Sequence, residues 1–473
     1  MLSYDMGARG GLGLYEYLYR CIRDDVLSGM LDAHDKLPSK RALARQLGVS
    51  VVTVESAYAQ LVAEGYVYSR PKSGYYVAAI PRPEAGAGRV HSTVTQAPAT
   101  APGAQQLLAD FTRPAPYASA SAAELWGKSL RGALAHEPRG ELFAVQPLQG
   151  NERLRTAIAG YLRSARGMAV DAQHIVVAAG AQALYGVVAL LVGPGAAVAL
   201  EDPGYPRLAQ VYAAHGLQPR PCALDAEGMH MPALERAGAR LVHIMPSHQF
   251  PTGRVTSIAR RYELLGWAAR AGGRYLVEDD YDWEFRFAGR PIPALASIDT
   301  QGRVIYLGTF SKSLASALRI AFAVLPPALS ERYERELGFL ANTVSSIDQI
   351  ALARLIEGGG YERHVSRYRK QARDVRDALV AALSASALGP LLQVEEADSG
   401  LHFVLALDVA ATEQEVAERA LQGGVRLAPL SGYAALPECA QAPDGLRRFV
   451  MQYDGLDVTA VGQVARVLEE ACR

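Results

Sequence analysis

Val304-Ile305-Tyr306-Leu307-Gly308-Thr309-Phe310-Ser311-Lys312 is a hydrophobic strand running into a small-residue turn that ends on a lysine, with Arg319 about two helical turns further on. Taken alone, Lys312 reads first as a solvated lysine at a helix start, since lysines are mostly exposed. Its neighbours change that reading. An amine that forms an imine with a pyridoxal aldehyde has to stay near a fixed phosphate, and Thr309, Ser311 and Arg319 offer hydroxyl and guanidinium donors to phosphate oxygens. Upstream, the apolar run Tyr275-Leu276-Val277 ends in Glu278-Asp279-Asp280-Tyr281. A carboxylate at a strand end keeps a pyridine nitrogen protonated, which makes the ring an electron sink, and a nearby phenol bonds the ring's 3'-oxygen. Together the two segments call for pyridoxal 5'-phosphate.

Other apolar runs, Ile175-Val176-Val177, Val198-Ala199-Leu200 and Leu241-Val242-His243-Ile244, alternate with helix-like segments. That alternation predicts an α/β domain with a mostly parallel sheet. From about Val344 the pattern turns helical, through Tyr361 to Leu383, and strands at Gln393 to Val394 and Leu401 to Leu407 predict a C-terminal α+β subdomain. Between Pro81 and Gln106 the chain is rich in proline, alanine and glycine and has no apolar period, the composition of a linker. The expected division is a small helical unit over residues 10–80, a flexible linker over 81–109 and a cofactor-binding domain over 110–473.

The 473 residues carry 48 basic and 48 acidic side chains, so the chain as a whole lacks the charge signature of a nucleic-acid binder and any such site has to be local. Cys21, Cys222, Cys439 and Cys472 lie far apart, with no metal-ligand spacing, which fits reduced thiols and gives no metal site. No run reaches the length of a membrane span and no basic stretch leads into an apolar one near Met1, so a cytoplasmic protein is expected.

In the first eighty residues Leu14, Leu18, Ile22 and Val26 recur at helical spacing. Ser39 is placed to cap a short helix that Gly48 ends, and Ser50 to cap a second from Val51 to about Glu64. Two short helices joined by a glycine turn form a helix-turn-helix, whose second member presents its N-terminal side chains to the major groove. Gly65 to Val77 reads as a hairpin with Arg70 and Lys72 near its tip, in reach of phosphates. Between Lys36 and Val77, Lys36, Lys40, Arg41, Arg45, Arg70 and Lys72 stand against Glu55 and Glu64. Spacing alone leaves a small helical docking or dimerisation module as the alternative.

In the larger part, Ala178-Ala179-Gly180-Ala181-Gln182 follows a strand and opens a helix, where backbone N–H groups form a phosphate cup and small residues let the anion approach; small residues also commonly start buried helices. In Glu201-Asp202-Pro203-Gly204-Tyr205-Pro206-Arg207, Tyr205 is able to stack on an aromatic cofactor and Arg207 to face an acid; core tyrosine and surface arginine are the plainer readings. His248 in Pro246-Ser247-His248-Gln249-Phe250-Pro251-Thr252-Gly253 reads equally as a satisfied turn histidine.

The phrases "LPSKRALARQLGVS" and "AYAQLVAEGYV" resemble the winged helix of GntR-family regulators. By that resemblance Ser39, Lys40, Arg41, Ser50, Thr53, Arg70, Lys72 and Ser73 occupy positions turned toward DNA. Family members often have arginine after the capping serine, where this chain has Val51, with Glu55 further along. From about Asp110 onward, "EDPGYPR", "PSHQFPTG", "EDDYDWEF" and "GTFSKSL" resemble fold type I aminotransferases in the family's order, and the combination resembles the MocR/GabR-like branch of GntR regulators over almost the whole chain. The resemblance implies that Lys312 forms the imine, Asp279 pairs with the pyridine nitrogen, Tyr281 with the 3'-oxygen, and Tyr205 stacks on the ring. It implies further that Gly180, Ala181, Gln182, Thr309, Ser311 and Arg319 hold the phosphate and that Arg207 takes an effector's acid group. Phe250 stands where aminotransferases usually have asparagine, which weighs against transamination. The expected function is a regulator that binds promoter DNA, forms a homodimer and senses a small amine or amino acid by transimination at Lys312. A working aminotransferase with an accessory head, or a sensor of pyridoxal phosphate itself, are the alternatives.

Overall fold

The computed structural model describes residues 2–80, 107–113, 120–287, 292–398, 400–442 and 444–473. Its contacts divide the chain into two compact units, Met1–Ala104 and Gln105–Arg473. The smaller unit holds three helices, α1 (Leu14–Ser28), α2 (Lys40–Leu47) and α3 (Val51–Ala63), and a hairpin of β1 (Val67–Arg70) and β2 (Gly74–Val77). Helical spacing puts Leu18, Ile22 and Val26 of α1 on one face, and they pack with Leu43 of α2 and Val54, Ala57, Tyr58 and Leu61 of α3 in a single core. Both expected serine caps form: Ser39 Oγ accepts from the Ala42 N–H and Ser50 Oγ from the Thr53 N–H. Gly48 closes α2 at φ +65°, a left-handed conformation that glycine adopts without steric cost. The hairpin is antiparallel, with Val67 opposite Val77 and Arg70 opposite Gly74.

In the larger unit β3 (Ala109–Asp110) precedes the main sheet, which is built from β4 (Ile175–Ala178), β5 (Ala197–Asp202), β6 (Gln218–Asp225), β7 (Gly228–Met229), β8 (Leu241–Ile244), β9 (Tyr275–Asp279), β10 (Val304–Thr309) and β11 (Ala321–Val324). The order across the sheet is β4-β11-β10-β9-β8-β5-β6-β7. The central strands β6, β5, β8, β9 and β10 run parallel, and β11 is antiparallel to both of its neighbours. Parallel strands are covered on both faces, which is why they read as near-continuous apolar runs. Side-chain alternation divides each strand between the two layers. Val176, Val198 and Leu307 pack with Leu184 and Val188 of the helix Ala181–Val192. Val177 and Tyr306 face Leu154 and Ile158, and Val242 and Leu276 face Leu264 and Trp267.

A C-terminal subdomain follows, with β12 (Leu392–Glu395), β13 (His402–Leu407), β14 (Val425–Arg426), β15 (Ala428–Pro429) and β16 (Arg447–Gln452). Its antiparallel sheet, ordered β12-β13-β16-β15, is backed by the helices Gly360–Ala385 and Val461–Cys472. Of the expected linker, residues 81–106 lie outside the described residues. Its last residues are not linker-like: Leu108 donates its N–H to the Gly424 carbonyl at 2.8 Å, and Ala109 is buried where β3 pairs in parallel with β14. The apolar stretch at Leu107-Leu108-Ala109 completes the core of the subdomain, which a proline- and alanine-rich composition count upstream of it does not reveal.

Candidate cofactor site and DNA-reading face

The residues expected to hold a phosphate and a ring lie at the C-terminal ends of parallel strands, where open α/β sheets bind ligands. β4 leads into Gly180, at φ +88°, and from there into the helix Ala181–Val192. The Arg319 guanidinium lies directly over Gly180: a Cβ there would stand 2.7 Å from the arginine Cζ and closer still to Nη2. Ser311 donates its N–H to Thr309 Oγ1 at 3.1 Å, fixing the turn between β10 and Lys312. A helix N-terminus with a guanidinium above it is an anion site. Gln182, on the first turn of the helix, is exposed.

Asp279 closes β9 and is 3 % exposed. Its Oδ2 accepts from the Tyr185 hydroxyl at 2.5 Å and lies 3.3 Å from His243 Nε2, while His243 Nδ1 is 2.9 Å from the Tyr212 hydroxyl. Burial, with the Asp279 charge beside it, raises the Tyr185 phenol well above its ordinary range, so Tyr185 is a fixed donor. Glu278 and Asp280 alternate to the other face. There Glu278 accepts the N–H groups of Leu295 and Ala296 at 2.7 and 2.8 Å, and Asp280 pairs with Arg166 and accepts from the Tyr306 hydroxyl at 2.9 Å. Of the acid run, Asp279 is therefore the carboxylate that faces Tyr185 and His243.

Tyr205 caps the helix Pro206–Ala214 and meets Phe250 edge to face at 5.9 Å; Phe250 in turn meets Tyr433 at 5.3 Å and His402 at 5.2 Å. Lys312 is half-buried, and its charge reaches His402, whose pKa is driven well below normal first by burial, then by His248 and Lys312. The Tyr281 hydroxyl is 3.3 Å from His248 Nδ1, which is 2.8 Å from Asp282 Oδ2. The His248 and His402 rings lie 4.4 Å apart, and the Nε2 atom of each is buried without a partner among the described residues. Ligand atoms of His248, Asp282 and His402 lie within 4.8 Å of one another. Gly400 makes room for this group, since a Cβ there would collide with the His248 ring and sit 2.6 Å from Asp282 Oδ2.

Gly180 and Ala181 follow β4, Thr309 to Lys312 close and follow β10, and Arg319 precedes β11, where Ala178 and Thr309 both pair with Ala321; Asp279 ends the neighbouring β9. Arg207 follows Tyr205 by two residues. It is exposed at the second position of its helix and does not line the cavity of about 340 Å³ bounded by Tyr205, Glu201, His243, Phe250 and Tyr433. Sequence reading missed Tyr185, Tyr212, His243 and His402. Tyr185 and His243 lie 94 and 36 residues from Asp279, so only the fold joins them; the signal present in the sequence was a polar His243 inside an otherwise apolar strand.

On the small unit, Lys40 pairs with Glu55 at 2.5 Å, joining α2 to α3. Arg41 is exposed, and Ser50 Oγ is 2.8 Å from Thr53 Oγ1 as well as capping α3. At the hairpin Arg70 lies over the Tyr76 ring at 4.9 Å, Lys72 adopts φ +61°, and Ser73 Oγ is 2.6 Å from the Tyr76 hydroxyl. Ser39, Lys40, Arg41, Ser50, Thr53, Arg70, Lys72 and Ser73 all belong to α2, α3, their caps or the hairpin tip.

Two family descriptions match. Residues 14–77 match the bacterial regulatory proteins of the gntR family, and residues 120–443 match aminotransferase class I and II. The chain is 37 % identical over 421 residues to the HTH-type transcriptional regulator YhdI of Bacillus subtilis (strain 168), covering 88 % of each chain. It is 35 % identical over 433 residues to the probable rhizopine catabolism regulatory protein MocR of Rhizobium meliloti, covering 88 % of this chain and 86 % of that one. Its larger unit shares the fold of Pyrococcus horikoshii kynurenine aminotransferase, with a TM-score of 0.65 at 24 % identity over 78 % of this chain and 92 % of that one. The chain therefore belongs to the MocR-type regulators, in which a gntR-family helix-turn-helix domain is joined to an aminotransferase class I and II domain.

Proposed function

We propose that this DNA-binding regulator holds pyridoxal 5'-phosphate in its larger unit, binds promoter DNA as a homodimer, and senses a small amine or amino acid by transimination at Lys312. The observation that carries the proposal is the pairing of the Gly180–Arg319 cup with a buried Asp279 held by Tyr185 and His243. The donor set fits the group: the N-terminus of the helix Ala181–Val192 with Arg319 against Gly180 for the phosphate, a fixed carboxylate for the ring nitrogen, and Tyr205 and Tyr281 for the ring. When bound, the cofactor supplies an aldehyde that an amine can occupy in exchange for Lys312. The chain's own residues do the rest. Arg319 and the helix N–H groups anchor an anion, Tyr185 and His243 keep Asp279 oriented, and Tyr281 offers a phenol held near His248. Phe250 puts an apolar ring where an asparagine amide would assist transamination, which favours detection over turnover. Arg207 is the candidate for the effector's acid group, and an arginine fork would tell an amino acid from a plain amine.

The test follows visible absorption and DNA retention together. The purified protein should be coloured, Lys312→Ala should lose the colour, and one class of amino compound should shift both absorption and DNA affinity without stoichiometric excess of keto acid. Arg207→Ala should keep the colour and lose the response to an amino acid. Sustained keto-acid production would make the protein an aminotransferase instead, and a DNA response to pyridoxal phosphate alone would make the cofactor itself the signal.

A further inference from the structure

The face of α3 that points away from the core carries no charged reader. The buried side is set by Val54, Ala57, Tyr58 and Leu61. At about 100° per residue the opposite side is Val52, Ser56, Ala59 and Ala63, while Val51 lies between that side and the buried face, next to Glu55. Val51 is 42 % and Val52 69 % exposed, in the first turn, which a helix-turn-helix presents to base edges. The helix contains no lysine, arginine, asparagine or histidine; its acid, Glu55, is taken by Lys40, and its Gln60 donates to Glu64. Ser50 is spent on the cap and on Thr53. Beside the Thr53 hydroxyl, already 2.8 Å from Ser50 Oγ, the first turn of α3 therefore offers the major groove branched hydrocarbon, with the Ser56 hydroxyl one turn further on.

The one apolar group that any base pair shows there is the C5-methyl of thymine. A valine set against guanine O6 and N7 or cytosine N4 would strip water from polar atoms and return no hydrogen bond. We propose that Val51 and Val52 read the operator by packing on thymine methyls, so that each half-site contains one or two thymines recognised through that methyl. Arg41, Arg70 and Lys72 hold the backbone and leave base choice to the valines. The inference rests on the DNA-binding function of the helix-turn-helix and is independent of the cofactor.

The test begins with duplexes selected by the full-length protein from a random-sequence pool. Each thymine of the selected site is then replaced, one at a time, by deoxyuridine, which removes the methyl and leaves pairing intact, and affinity is read by fluorescence anisotropy. At one or two positions per half-site binding should weaken about fourfold, the effect of one buried methyl-sized group. Val51→Ala/Val52→Ala should bind the thymine and uracil duplexes alike at those positions, while its affinity for non-specific duplex and its thermal unfolding match the parent. The proposal is overturned if no thymine-to-uracil change weakens binding, a result that needs no protein variant. It is equally overturned if the methyl dependence persists in the double variant. Failure of the pool to yield any retained duplex would remove the DNA-binding function itself, and the proposal with it.

Discussion

Gly180 and Arg319 are 139 positions apart and need each other. Because the guanidinium occupies the space a Cβ would take, and because φ is +88°, Gly180→Ala meets both steric and backbone resistance. The larger unit should still fold, with a stability loss of about 1 kcal/mol, but affinity for pyridoxal phosphate measured by equilibrium dialysis should fall about tenfold or more, the worth of one charge-assisted hydrogen bond. Glu201 gives a second expectation. Burial pushes its carboxyl up to about 8, and its Oε1 has no partner among the described residues. The folded chain therefore holds a proton that the unfolded chain releases near the ordinary glutamate value, so wild-type stability is reduced as pH rises from about 4.5 to about 8. Glu201→Gln keeps an acceptor for the Met245 N–H without ionising. Urea unfolding should show the variant gaining on wild type across that window, at no more than about 1.4 kcal/mol per pH unit, and levelling off above it. A constant difference at all pH values would place the charge elsewhere.

At the scale of elements, α2, α3 and the hairpin form the DNA-reading module, and their phosphate contacts should be separable from base choice. Replacing both Arg41 and Lys72 by alanine should weaken binding and lower the slope of log affinity against log salt by about 1.8 per head, from two fewer counterions released. An unchanged slope in a salt titration would show that the module meets DNA by another face. These elements were legible because each carries its own punctuation: Ser39 and Ser50 before an apolar period, Gly48 after one, and a glycine at the hairpin turn. The strand ending on Asp279 and the turn holding Lys312 were legible for the same reason, since strand and functional residue are contiguous. What was not legible is whatever the sheet order assembles. β8 lies beside β9 and the helix Ala181–Val192 packs across them, so His243 and Tyr185 converge on Asp279 through topology that no local spacing encodes. The His248–Asp282–His402 group is hidden in the same way, its members drawn from a turn, a strand exit and the first residue of β13. Arg207, placed by its motif, is the second residue of the helix Pro206–Ala214 and is exposed in the single chain.

For the whole molecule, the division into two units predicts divisible functions. A fragment of residues 107–473 should retain the visible absorption and the spectral response to an amino compound while losing DNA retention, and residues 2–80 should keep salt-sensitive DNA binding at lower affinity, because two tethered heads gain through effective concentration. Anisotropy with the two fragments mixed but unlinked should restore none of the difference. The chain re-enters described structure at Leu107 and is at once clamped: Leu108 bonds Gly424, β3 pairs with β14, and Asp110 holds Arg426 at 3.0 Å. The same subdomain supplies His402 and Tyr433 to the rings packed around Phe250. Any displacement of this subdomain therefore carries Leu108 and Asp110 with it, because a backbone hydrogen bond and an ion pair fix them to Gly424 and Arg426.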